Sequence, residues 1–186
     1  MWWVLIGAAA GAVHVLSGPD HLAAVAPFAT TGGGLRAGAL WGFGHGVGVL
    51  VLGLLAVAFR GLITLDSVSA TSEHVVGFAL IGLGVWTLWE ARSERPAHGH
   101  SHRAVFGMGV LHGAAGASHL IGVLPTLALA PAQGVTYLIS FLTGACLTMA
   151  SVGAGLGRLR AVAPSRWRMV SGLVAIGVGA SWVTAT

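Results

Sequence analysis

The sequence predicts an all-α integral membrane protein: six transmembrane helices in two inverted three-helix repeats, with the first and fourth helices broken or kinked. Three observations predict it. Only 8% of the 186 residues are charged while 55% are hydrophobic, with a mean hydropathy of +0.86, whereas a soluble domain is about one quarter charged. Polar or Gly-rich breaks divide the apolar chain into segments of about 20 residues, the length that crosses a hydrocarbon core. A short His-containing motif recurs 98 residues apart. A soluble enzyme, a disordered chain and a nucleic-acid binder are excluded on composition, because five acids and nine Arg cannot solvate the surface of a globule. Nine His exceed all the acids together, and there is no Lys.

The expected spans are about 2–26, 36–59, 74–92, 104–130, 135–157 and 167–185. The breaks between them are Thr30–Gly34, Arg60–Glu73, Arg92–Arg103, Pro131–Gly134 and Arg158–Arg168. Trp2, Trp3, Trp86, Trp89, Trp167 and Trp182 fall near span ends, as an aromatic belt requires. Alternate loops carry Arg36, then Arg92, Arg95 and Arg103, then Arg158, Arg160, Arg166 and Arg168, and the other loops carry only Arg60. The positive-inside rule puts the Arg-bearing loops in the cytoplasm and both termini outside a plasma (inner) membrane. The start lacks the basic flank of a cleavable signal. Cys146 is alone, so neither an internal disulfide nor a CxxC redox pair can form.

Residues 11–27, GAVHVLSGPDHLAAVAP, align without a gap on 109–125, GVLHGAAGASHLIGVLP. His14 matches His112, His21 matches His119 and Pro27 matches Pro125, while Asp20 and Pro19 become Ser118 and Ala117. At the same offset His45 falls on Thr143. The chain therefore divides into 1–92, a first repeat; 93–103, a His-rich cytoplasmic loop; and 104–186, a second repeat. Each repeat has an odd number of spans, so the second enters from the opposite side, an architecture of secondary transporters. Gly7/Gly11, Gly44/Gly48, Gly109/Gly113 and Gly153/Gly157 have the spacing that lets helices approach closely, although chance in a Gly-rich chain suffices for any single pair.

The chemistry rests on His14, Asp20, His21, His45, His112, Ser118 and His119. An Asp inside a span costs about 2.5–3.5 kcal/mol on insertion scales, so Asp20 needs a partner, water or an ion. The alternative is that Asp20–His21 caps a helix at the inner water interface. Pro19 between His14 and His21 predicts a break that lines a cavity. Counting 1.5 Å per residue, His14 lies roughly 18 Å from Trp2, while His45 and His112 lie roughly 13 Å from Arg36 and Arg103. His14, His45 and His112 are therefore expected to meet at the midplane, with Asp20–His21 toward the cytoplasm and His119 toward the outside. Neutral imidazole suits Ni²⁺, Co²⁺, Zn²⁺ and Cu²⁺. His98, His100 and His102 form an exchangeable metal-binding loop or a solvated linker. Glu73–His74 reads as a cap and surface pair, and Glu90 and Glu94 as partners of Arg92 and Arg95 in solution.

These residues resemble a known group. His14-x5-Asp20-His21 is similar to the His-x4-Asp-His signature of the NiCoT nickel/cobalt permeases, with one more residue in the spacer. Phe43-Gly44-His45-Gly46 is similar to their Leu-Gly-His-Ser motif. The six-span layout and the His-rich loop resemble the NicO and UreH-like nickel/cobalt transporters of the wider LysE-type superfamily. The resemblance implies transport of Ni²⁺ or Co²⁺, with His14, Asp20, His21 and His45 in the substrate path. The permeases carry acidic motifs in later spans, which this chain lacks.

The expected function is alternating-access transport of a divalent transition metal, Ni²⁺ or Co²⁺ with Zn²⁺ also suited, with efflux mildly favoured by the His loop. No fixed cofactor and no catalysis are expected. The partners are the cation, the bilayer and, in an oligomer, further copies of the chain. The competing reading is an intramembrane zinc-dependent hydrolase that uses the same His, Asp and Ser groups to activate water.

Overall fold

The structure is a computed structural model that describes residues 2–30, 33–58, 65–93, 101–115 and 122–185. Every regular element among them is helical. Helix α1 (Trp2–Ser17) stops at Gly18, and α2 (Pro19–Ala29) leaves at 78° to it. The cause is local. Pro19 has no N–H to continue the ladder and disfavours helical backbone in the residue before it. Gly18 is accordingly extended, at φ −95° and ψ 104°. The predicted break of the first span is thus present, and His14 and His21 do not lie on one continuous helix.

Helix α3 (Gly34–Ala58) follows Gly33, whose φ of 67° needs glycine. Helix α4 (Leu65–Arg92) starts well before the expected 74. Helix α5 (His102–Gly113) is capped by Ser101, whose Oγ accepts from the Ala104 N–H at 3.2 Å. It ends at Gly113, so the described part of the expected fourth span is not one helix. A 3₁₀ turn (Leu124–Ala128) precedes α6 (Pro131–Val162) and α7 (Pro164–Ala185).

Two expected breaks are corrected here. Pro131–Gly134 starts α6 rather than interrupting the chain, because Pro at the first helical position gives up only an N–H that would be orphaned anyway. Arg158–Arg168 is largely helical, and the break shrinks to Ala163, which Pro164 holds off the helical region at φ −150° and ψ 75°.

Among the described residues, Glu73–Arg92 and Pro131–Leu159 are long and apolar enough to cross a bilayer, and the bent α1–α2 pair passes as a third span. The surface is correspondingly apolar: Trp2, Phe43, Ile139 and Leu147 are exposed, while Asp20, His21, His45, Glu90 and His112 are buried. A water-soluble globule has the reverse arrangement.

Helix α1 packs on α6, α3 on both α5 and α6, and α4 on α7. Glycines make the contacts close. A Cβ on Gly11 would collide with the Phe141 carbonyl and stand 2.9 Å from the Ala145 nitrogen. A Cβ on Gly109 would collide with the Trp41 carbonyl and stand 3.0 Å from the His45 nitrogen. Likewise Gly44 abuts the Phe106 carbonyl and Gly144 the Ala8 carbonyl. All four small-residue pairs read from the sequence lie at such contacts, with Gly7 and Gly11 on α6, Gly44 and Gly48 on α5, Gly109 and Gly113 on α3, and Gly153 and Gly157 on α3.

Two neighbouring glycines of α5 test this packing. Gly109→Ala is expected to destabilise the detergent-solubilised protein by about 1–3 kcal/mol, the usual cost of overpacking. At Gly107 a Cβ meets nothing within 4 Å. Gly107→Ala should therefore be neutral or stabilising by up to about 1 kcal/mol, through helix propensity. Thermal unfolding of the two variants side by side measures the contrast.

Candidate metal centre

The site is built around the α1–α2 bend. His14 lies on the last turn of α1, and Asp20 and His21 lie on the first turn of α2. His45 comes from α3 and His112 from the last turn of α5. Close approach of α3 and α5 places the last two, since Gly113 sits directly on the His45 carbonyl.

Asp20 is 8% exposed and His112 is 0% exposed, so this carboxylate must be compensated from within. It is held from two sides. His112 Nε2 lies 3.0 Å from Asp20 Oδ2, and His21 Nδ1 lies 3.3 Å from Asp20 Oδ1. An ionised carboxylate can only accept, so both imidazoles donate. This sets the tautomer of neutral His21: its proton is on Nδ1, and Nε2 carries the lone pair. His14 Nε2 and His45 Nε2 approach to 3.4 Å, one donating and the other accepting. The first turn of α2 also carries the positive end of a helix dipole beside Asp20. The last carbonyls of α1 present the opposite pole to the same space.

The rings are crowded. The His21 ring centroid lies 4.8 Å from that of His14, and 5.0 Å from those of both His45 and His112. Two donor sets result, His14–His21–His45 and Asp20–His21–His112, and within each the ligand atoms all lie within 4.8 Å of one another. Both combine the donor types that bind borderline divalent cations. A cleft of about 570 Å³ reaches them, lined in part by His14, Ser17, Asp20, His21 and Trp182.

Five of the expected residues therefore converge: His14, Asp20, His21, His45 and His112. One expectation is corrected. Asp20–His21 does not lie a step away from the other three, because the bend at Gly18 turns α2 back into the cluster. Asp20 and His21 are buried rather than capping a helix in water. Ser118 and His119, like His98, His100 and Glu94, lie outside the described residues. His102 begins α5 and is exposed, away from the cluster. Glu90 is 4% exposed, not a solvated partner of arginines. Glu73 and His74 are half-buried inside α4, not at its start.

Two aromatic residues escaped the sequence reading. Trp41 is fully buried and stacks on His45, with ring centroids 5.2 Å apart and planes at 7°; it also meets His112 at 5.1 Å. Its spacing of one helical turn before His45 was the available signal. Trp182, expected in the membrane belt, also stacks on His112 at 5.4 Å and 23°. Nothing in its sequence neighbourhood marks that contact.

The chain is similar to two proteins of Arabidopsis thaliana. Chloroplast protein FOR GROWTH AND FERTILITY 2 is 35% identical over 199 aligned positions, covering 91% of this chain and 53% of the relative. Chloroplast protein FOR GROWTH AND FERTILITY 1 is 33% identical over 207, covering 93% and 56%. The chain thus spans about half the length of these two relatives. It is also 24% identical over 176 positions to the urease accessory protein UreH of Bacillus sp. (strain TB-90), covering 82% of this chain and 75% of that one. No protein-family model and no solved structure matches.

Gly18 offers a test of the geometry. Its φ and ψ suit any residue, but a Cβ there would collide with His21 Nδ1 and stand 2.6 Å from Asp20 Oδ1. His21 is 2% exposed and crowded by the rings of His14, His45 and His112. Gly18→Ala should lower the thermal stability of the detergent-solubilised protein by about 1–3 kcal/mol, the usual cost of overpacking. Helical circular dichroism should be unchanged.

Proposed function

We propose that this protein carries a divalent transition-metal cation, Ni²⁺ or Co²⁺ with Zn²⁺ as a further candidate, across a membrane. The observation that carries the reading is the convergence of four imidazoles and one carboxylate, from four helices, at a helix break inside an apolar bundle. Ionisable groups at such depth mark ion paths, and broken helices at membrane depth line sites. The resemblance of His14-x5-Asp20-His21 to the nickel/cobalt permease signature supports the same cargo. So does the 24% likeness to a urease accessory protein, UreH, since UreH-like transporters belong to that group.

The proposed architecture is six spans in two inverted repeats, 1–92 and 104–186 joined by the His-rich loop. Packing supports it. The Gly11 contact with Phe141 and Ala145 is repeated by Gly109 with Trp41 and His45, and the Gly44 contact with Phe106 by Gly144 with Ala8. Exchanging the halves in this way makes Ala145 the counterpart of His45, two residues beyond the Thr143 given by a constant offset. Rocking of one half against the other then exposes the cluster alternately. The Arg distribution supports cytoplasmic Arg-bearing loops and outside termini. His98, His100 and His102 are proposed to collect or release the cation in the cytoplasm, which mildly favours efflux. The cation is cargo, and no catalytic role is assigned.

The test is flux of Ni²⁺ and Co²⁺ into proteoliposomes holding an entrapped metal-sensitive dye. Wild type should move at least one of them, and a triple His14→Ala, His45→Ala, His112→Ala variant should fall to the leak of empty vesicles. No flux, or flux untouched by the triple change, would sink the proposal. Stoichiometric zinc retained through purification, with no flux, would favour the intramembrane hydrolase.

A further inference from the structure

We propose that the five groups form two overlapping cation positions that share His21, and that a cation passes between them as Asp20 changes role. The first position is His14, His21 and His45. The second is Asp20, His21 and His112.

Both positions reach the cleft. His14 is half-buried and lines the cleft with His21, so the all-imidazole position opens toward it. His112 is wholly buried, and its ring is stacked by Trp182, itself a cleft wall. Asp20 and His21 of the second position line the same cleft, and Trp41 packs against both positions, at 5.2 Å from His45 and 5.1 Å from His112.

They differ in the work Asp20 does. In the first position it accepts from His21 Nδ1 at 3.3 Å, which leaves the Nε2 lone pair of His21 for the cation. That is the carboxylate–histidine–metal arrangement of an orienting partner. In the second position Asp20 is itself a ligand and its negative charge faces the cation directly. The cation gains that charge in the second position, and the site gives up the hydrogen bond between Asp20 and His112, the His112 ring proton passing from Nε2 to Nδ1.

Neutral His21 offers one lone pair. Binding two cations at once would require it to lose its second ring proton, so the positions exclude one another. A single ion is therefore distributed between them. This rests on the transport reading only for the kind of cargo, and binding alone tests it.

The experiment is a Co²⁺ titration of the full chain in detergent, followed by visible absorption and metal analysis. With the loop imidazoles removed (His98→Asn, His100→Asn, His102→Asn), the chain should bind a single Co²⁺ with a two-component spectrum, and the variants that follow are made in that background. Asp20→Asn keeps an oxygen to accept from His21 and should leave only the all-imidazole component. His45→Asn should leave only the carboxylate component. His21→Gln should weaken both by more than the roughly 10-fold cost of losing an outer partner. For any variant that elutes as aggregate, His112→Asn or His14→Asn carries the same expectation for its set. Two Co²⁺ per chain, or one spectrum that the Asp20 and His45 changes weaken alike, would overturn the proposal. Co²⁺ bound as expected but never moved in proteoliposomes would overturn the transport reading and leave the two positions standing.

Discussion

A carboxylate buried in a bundle with an apolar exterior is the constraint on which the site depends. Asp20 cannot be solvated by the lipid-facing surface, and neighbouring imidazoles must supply its hydrogen bonds. Those bonds fix the orientation and tautomer of His21, and they tie the start of α2 to the end of α5. The bend at Gly18–Pro19 is what brings the carboxylate there. A straight first helix would carry Asp20 and His21 one to two turns beyond His14. The bend instead makes one space of what a continuous helix would spread along its axis.

Close helix packing is the second requirement, and glycine meets it. Imidazoles from α1, α3 and α5 reach one another only because the backbones of these helices, and of α6 beside them, nearly touch at Gly11, Gly44, Gly109 and Gly113. In lipid no hydrophobic force drives helices together, so van der Waals contact between bare backbones carries more of the association. The glycines that look like loop formers in a composition table are therefore the residues that position the site. Their contacts follow the same pattern in both halves of the chain. The cluster lies where α1, α2, α3 and α5 come together, two of them from the opening bend and one from the second half.

Much of the site was legible in the sequence. The His14/His112 register, Pro19 and the Asp–His dipeptide singled out the residues that converge. The helix ends were less legible. Pro131 and the Arg158–Arg168 stretch read as breaks by composition, yet Pro is compatible with a helix start, and Arg side chains can extend from helical turns into water. Glu90 read as a solvated acid, and only packing shows it buried. The contact of Trp182 with His112 was not legible, because its position near a span end is all that one dimension reveals.

The sequence by itself determined the class of molecule, the residues that converge and the location of the break. These follow from composition, spacing and the missing N–H of Pro19, which are local properties. Tertiary structure decided that Asp20–His21 joins His14, His45 and His112 in one cluster rather than standing apart from it. It also decided that Trp41 and Trp182 wall the cluster, and that His21 belongs to two donor sets. The direction of a helix after a bend, and the ring that faces it, depend on neighbours more than 20 residues away in the chain. Spacing along the sequence carries no record of them.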